Sequence, residues 1–164
     1  MGDTYTTKIT AVLARKGKEA RLAIEDNRFH PSGGGQPGDK GRLKAPGFSA
    51  EVVDCFREDE VPILAVRVME GEAAEGLAVD AEVDLSRQAL LSRMHSGEHV
   101  LSRILESRHE GLEVYKVAVA EEETAVFLRW DGELGWDLLF EAETAANEVI
   151  ASDLPVSIRL HDPA

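Results

Sequence analysis

The chain has 164 residues, 43% of them hydrophobic, and sets 18 Lys and Arg against 31 Asp and Glu for a formal net charge of −13. That length supports one large core or two small ones, and no apolar run approaches the roughly 18 residues that a membrane span needs. The acidity excludes nucleic-acid binding through a broad basic face, because counterion release requires clustered cations; any RNA contact must be local or helped by parts of a longer protein.

The charge is lopsided. Through Gln88 there are 12 Lys and Arg against 16 Asp and Glu, whereas from Ala89 onward there are 6 against 15. The N-terminus lacks the apolar centre of a signal peptide. Cys55 is the single cysteine, which rules out an internal disulfide and suits a reducing cytoplasm.

In chain order, residues 3–14 and 20–25 alternate as strands do, with Lys16-Gly17-Lys18 as a turn between them. A glycine-rich loop follows, and strands resume at 42–43, 50–56, 63–69 and 79–84, with an exposed turn over 70–76. Short strands at near-regular spacing predict a small barrel or sandwich. Asp84 or Ser86 can cap the next helix, which runs to about Arg108. Residues 114–120 and 125–130 read as a hairpin joined through Glu121-Glu122-Glu123, a solvated tip. A second helix spans about 137–152, and Val156–Leu160 reads as a last strand. The period-2 pattern yields to period 3.6 near residues 84–88. We therefore expect an α+β chain, with a glycine-rich β-barrel domain over 1–88 and a helix-plus-antiparallel-sheet domain over 89–164.

Two stretches carry chemistry. In Arg93-Met94-His95-Ser96-Gly97-Glu98-His99-Val100-Leu101, two imidazoles lie four residues apart on a predicted helix, so both can meet one ion or one substrate group. On that helix Leu90, Met94, Gly97, Leu101, Ile104 and Leu105 share a stripe expected to face a core. Glu98 falls toward the stripe and is poorly aimed at an ion between the histidines. The second stretch is Phe29-His30-Pro31-Ser32-Gly33-Gly34-Gly35-Gln36-Pro37-Gly38-Asp39-Lys40-Gly41. Its glycines permit positive φ and close backbone approach, while Pro31 and Pro37 stiffen it and present Gln36 at a defined place. It lacks the lysine and spacing of a phosphate-binding P-loop.

Together these stretches resemble the editing domain of alanyl-tRNA synthetase and its free-standing relatives: the glycine motif matches theirs, and His95-x3-His99 matches their histidine helix, with Ser96 where threonine is commoner. Residues 143–156 resemble the helix and strand that follow in that family. The resemblance implies hydrolysis of alanine tRNA mischarged with serine or glycine, by a module of a synthetase or a free-standing editor. It implies zinc held by His95 and His99, with Gly33, Gly34, Gly35 and Gln36 beside the amino-acid pocket. Gln36 and Ser96 are the candidate catalytic residues, each able to hydrogen-bond the substrate's hydroxyl or amine.

The chain departs from the family in one respect. The family completes its metal site with a later C-x3-H segment, and none lies between Val100 and Ala164. The expectation is a piece of a longer protein that binds zinc weakly by itself; the alternative is a non-catalytic descendant that binds RNA or a protein partner. His30 is a candidate to approach the site, whereas His109 and His161 read as a helix-end and a surface residue. Trp130 and Trp136 read as packing residues, and Cys55 as a small buried hydrophobe.

Overall fold

Alternation of apolar and polar residues carries the first half of the chain into strands, and their number and pairing close them on themselves. A computed structural model describes residues 3–157. Strands β1 (Asp3–Lys16), β2 (Glu19–Ile24), β3 (Gly41–Ala45), β4 (Phe48–Glu58), β5 (Val61–Glu70) and β6 (Ala78–Val83) form a closed antiparallel barrel in the order β1-β2-β5-β4-β3-β6. Long β1 joins the ends, pairing with β2 through Ile9↔Ile24 to Lys16↔Glu19 and with β6 through Asp3↔Val83 to Lys8↔Ala78. Closure demands curvature, and two register shifts in β1 against β2, with one each in β4 and β5 where they pair, supply it. Inward residues of the alternating strands fill the interior: Ile9, Leu22, Leu43, Val52, Leu64, Val66, Val79 and Val83 are all buried.

Both β4 and β5 run longer than the sequence suggests. Glu58 pairs with Val61 across a two-residue turn in which Asp59 and Glu60 both adopt positive φ, 46° and 65°. That turn contains no glycine, so its usual signal is missing.

Cys55 lies wholly inside the barrel wall. Burial pushes its thiol pKa up to about 11, with lesser help from Asp39 and Asp54 and partial relief from an Asn27 hydrogen bond. At pH 8 the thiolate fraction is on the order of 10⁻³, and burial hides it further. A thiol-specific chromogenic reagent should therefore leave the native chain unlabelled at pH 8 and react fully in denaturant; rapid native labelling would contradict the burial.

After the barrel come α1 (Leu85–Arg108), β7 (Glu113–Val119), β8 (Thr124–Arg129) and α2 (Trp136–Ala151), with β7 and β8 forming a two-stranded sheet. The architecture is α+β, a barrel plus a sheet and two helices. The chain divides into two compact units, one of Met1–His95 with Val117–Ala125, the other of Ser96–Lys116 with Val126–Ala164. In the second unit Leu105, Leu112 and Ala142 form the core, with Leu101, Ile104, Val114, Leu128, Trp130 and Leu138 against them. Trp130 also donates its indole N–H to the Glu110 carbonyl and lies 5.4 Å from the His109 ring, so both are packing residues. Residues 154–157 follow α2 without regular structure; of the strand expected at Val156–Leu160, residues 158–160 lie outside the described residues, as does His161.

The buried side of α1 is not the expected stripe throughout. Arg87, Leu91, Glu98, Ser102 and Leu105 are buried, about one residue round from the predicted line in the first half of the helix. Three of these five are polar, so hydrophobic periodicity could not find them.

Candidate active site

The start of α1 fixes the first piece. Asp84 accepts the Arg87 backbone N–H on its side chain at 3.0 Å, satisfying one of the donors a helix start leaves unpaired. Asp84, not Ser86, is therefore the cap. The helix then carries His95 onto the first unit.

The glycine loop is folded as tightly as its prolines imply. Phe29 anchors it in the barrel core, and the Ser32 N–H donates to the Cys55 carbonyl at 2.7 Å. Buried Asp39 staples its ends: its N–H donates to the His30 carbonyl, and its carboxylate accepts the His30 N–H at 2.7 Å and the Gln88 side-chain amide. Gly33 and Gln36 exchange two backbone hydrogen bonds, 3.0 and 2.9 Å, across Gly34 and Gly35 at φ 57° and 83°. Two successive positive φ values define a type I′ turn, which is why this position needs glycine twice.

That turn puts Gln36 against His95. The Gln36 side chain is 6% exposed, and its Oε1 lies 2.9 Å from His95 Nδ1. When Nδ1–H donates to this carbonyl oxygen, the Nε2 position carries the lone pair. Gly34 leaves room for the ring, since a Cβ there would sit 3.2 Å from His95 Cε1. On the loop's other side the Val119 N–H donates to the Gly35 carbonyl at 2.9 Å, and a Cβ on Gly35 would lie 2.5 Å from the Val117 carbonyl oxygen. The loop is thus held between α1 and β7.

One helical turn beyond His95, Glu98 is buried and accepts the Ser102 hydroxyl, and its second oxygen lies 3.6 Å from His99 Nδ1. His95, Glu98 and His99 each bring a ligand atom within 4.8 Å of the others. Glu98 therefore reaches further toward the histidines than its helical projection suggests. The spacing H-x-x-E-H itself was the available signal, because i+3 and i+4 both return to one side of a helix. Ser96 is exposed beside His95, and His30 is exposed and outside this donor group.

A second network went unread in the sequence. Buried Arg87 donates through Nε to Glu121 at 2.6 Å and through an Nη1 to the Gly38 carbonyl at 2.8 Å, while Lys40 Nζ lies 3.4 Å from the same Glu121 oxygen. The bond from Arg87, then that from Lys40, hold the Glu121 carboxyl below the usual carboxylate range. Glu121 is therefore not simply a solvated tip. It ties β7–β8 to the loop's exit.

No protein-family model matches the chain. It is 31% identical over 164 residues to the alanyl-tRNA editing protein AlaX-L of Pyrococcus horikoshii, covering 98% of this chain. It is 30% identical over 146 residues to the alanine–tRNA ligase of Leptospira biflexa, covering 87% of this chain.

The chain is of the AlaX editing-domain type.

The alanine–tRNA ligase of Pyrobaculum neutrophilum adds 40% identity over 100 residues, or 60% of the chain. The AlaX-type chain spans 40% of the length of the P. horikoshii protein and 16% and 11% of the two ligases. Among the described residues, no helix is long and apolar enough to cross a membrane.

The donor set His95, Glu98 and His99 suits zinc by chemistry, since open zinc sites take two imidazoles and one carboxylate. Gln36 on Nδ1 is the kind of carbonyl partner that fixes a ligating imidazole's tautomer. Replacing the anionic donor in Glu98→Gln should weaken zinc binding about tenfold or more, read by calorimetric titration. An unchanged affinity would remove Glu98 from the site.

Proposed function

We propose that this chain is an editing module that hydrolyses the ester of alanine tRNA mischarged with serine or glycine, as part of a ligase or of a separate editing protein. On this reading residues 1–88 form the barrel domain and residues 89–164 carry the histidine helix. The supporting observation is the 2.9 Å contact between Gln36 and His95, which joins the glycine loop to the helix that bears the ligating residues.

His95 and His99, joined by Glu98, would hold zinc; bound there, the ion would polarise the ester carbonyl or lower the pKa of an attacking water. The chain's own residues supply position. Gln36 orients His95 through Oε1, so its NH2 arm is the one that meets a substrate hydroxyl. Gly34 and Gly35 bring backbone close where side chains would obstruct. Ser96, exposed beside His95, adds a hydroxyl that donates to or accepts from the substrate. A pocket built to pair the hydroxyl of serine leaves polar groups unpaired when alanine enters, which disfavours the correctly charged tRNA.

Gln36→Ala is expected to slow deacylation of serine-charged alanine tRNA about 5- to 150-fold, equivalent to about 1–3 kcal/mol for a lost hydrogen bond. Folding should persist, and saturating zinc separates this loss from the weaker metal affinity that freeing the His95 ring would bring. Serine release at the parent rate would sink the assigned role, and tRNA binding with no hydrolysis by the parent chain would favour a non-catalytic module.

A further inference from the structure

In an acidic chain, the place where RNA can touch must be sought among exposed rings with cations beside them. Two exposed aromatic pairs meet the first condition. Trp136 and Phe140 lie on α2 with centroids 6.1 Å apart, but residues 131–153 hold seven Asp and Glu and no Lys or Arg. A phosphate backbone is repelled there. Tyr115 on β7 and Phe127 on β8, 51% and 38% exposed, form the other pair, with centroids 6.3 Å apart and rings tilted by 57°.

The second pair, unlike the first, has cations beside its rings. Lys116 Nζ lies 5.1 Å from the Phe127 ring centroid, and Arg129 Cζ lies 5.1 Å from that of Tyr115. Between Arg108 and Arg159 the chain has no other Lys or Arg, so every cation of this long acidic segment is gathered on these two rings. The strand period explains the exposure: Val114 and Leu128 turn into the unit's core, which leaves their neighbours Tyr115, Phe127 and Arg129 outward. Glu113 accepts from Arg129 at 2.8 Å, an exposed pair that steadies the guanidinium plane.

We propose that this face of β7–β8 is a stacking platform for unpaired RNA bases, which the single-stranded 3′ end of a tRNA would supply. Aromatic faces accept any base, and adjacent cations neutralise the phosphates between them, so the platform requires no sequence. The proposal rests on the editing reading for the identity of its RNA, though not for the affinity itself.

The test is fluorescence anisotropy of a labelled single-stranded RNA hexamer with the full chain at low salt. Tyr115→Ala and Phe127→Ala should each weaken binding on the order of tenfold. Lys116→Gln should leave the fold intact and reduce the salt slope by about one. Tyr115→Phe and Trp136→Ala should bind as the parent does. No affinity in the parent, an unchanged affinity in the Tyr115→Ala Phe127→Ala double variant, or an equal loss in Trp136→Ala would overturn the platform, the first in favour of a protein-binding surface. Hydrolysis of the serine ester of adenosine, measured in parallel, separates the two readings. Ring-dependent RNA binding without ester hydrolysis leaves the platform and removes the editor. Hydrolysis without RNA binding does the reverse.

Discussion

Gly38→Ala is expected to destabilise the barrel by more than about 3 kcal/mol, while Gly33→Ala, five residues earlier in the same loop, should be close to neutral. A Cβ on Gly38 would meet the Cys55 carbonyl oxygen at 1.9 Å and the Cys55 nitrogen at 2.6 Å, both backbone atoms of β4. Overpacking usually costs about 1–3 kcal/mol when side chains can yield, and here the obstacle is a strand hydrogen-bonded to both neighbours. That strand also supplies the carbonyl that accepts the Ser32 N–H, so relief for Gly38 would pull on the loop's entry. Gly33 has no such neighbour; nothing lies within 4 Å of its built Cβ. Denaturant unfolding of the two variants gives the comparison directly. The midpoints should separate widely, and equal midpoints would mean that the loop does not press on β4. Against a total stability of about 5–15 kcal/mol, the Gly38 loss leaves little margin.

Arg87→Met should be the most damaging change at the start of α1. The methionine fills some of the volume but leaves the Gly38 carbonyl without its donor, a cost of about 1–3 kcal/mol for a buried acceptor. It also frees the β7–β8 tip by removing the Glu121 partner. Glu121 adds a pH signature with a definite sign. Its folded pKa is lowered, chiefly by Arg87, so its contribution is present above the ordinary carboxylate pKa and lost as pH falls through the folded value. The stability gap between parent and Arg87→Met should therefore be full at pH 7 and narrow on acidification. A gap that widened toward low pH would show that Glu121 does not depend on Arg87. Because Gly38 lies two residues past Gln36, the hold of Gln36 on His95 should loosen in this variant, and on the proposed editing function deacylation should fall with it.

How far the sequence disclosed this molecule depended on the physics each element uses. Barrel strands were visible because their inward faces are aliphatic at period two. The turn at Asp59-Glu60 was not, because charged residues hold a geometry that glycine or asparagine normally announces. On α1 the Leu101, Ile104 and Leu105 packing was legible, whereas the Arg87, Glu98 and Ser102 burial was not, since those side chains are buried by virtue of partners distant in the chain or one turn away. The nearness of Gln36 to His95 was expected from the stiffness of the loop and the family resemblance. The grip of β7 on Gly35 was not, because it runs through the backbone carbonyl of Gly35 and the N–H of Val119, about which side-chain patterns say nothing.

The two sheets also face different hazards in concentrated solution. In the barrel each strand has a hydrogen-bonded neighbour on both sides, so none offers a free margin to another molecule. Among the described residues β7 and β8 have no strand partner but each other, and β7 is engaged at Val119 by the Gly35 carbonyl, so the outer margin of β8 is where a strand of a second chain can add. Ordered self-association should therefore begin at this ribbon and spare the barrel, and the charged tip Glu121-Glu122-Glu123 is placed to discourage it. Shelf life and yield at high concentration would then be governed by six or seven residues of a hairpin, not by the stability of the larger fold.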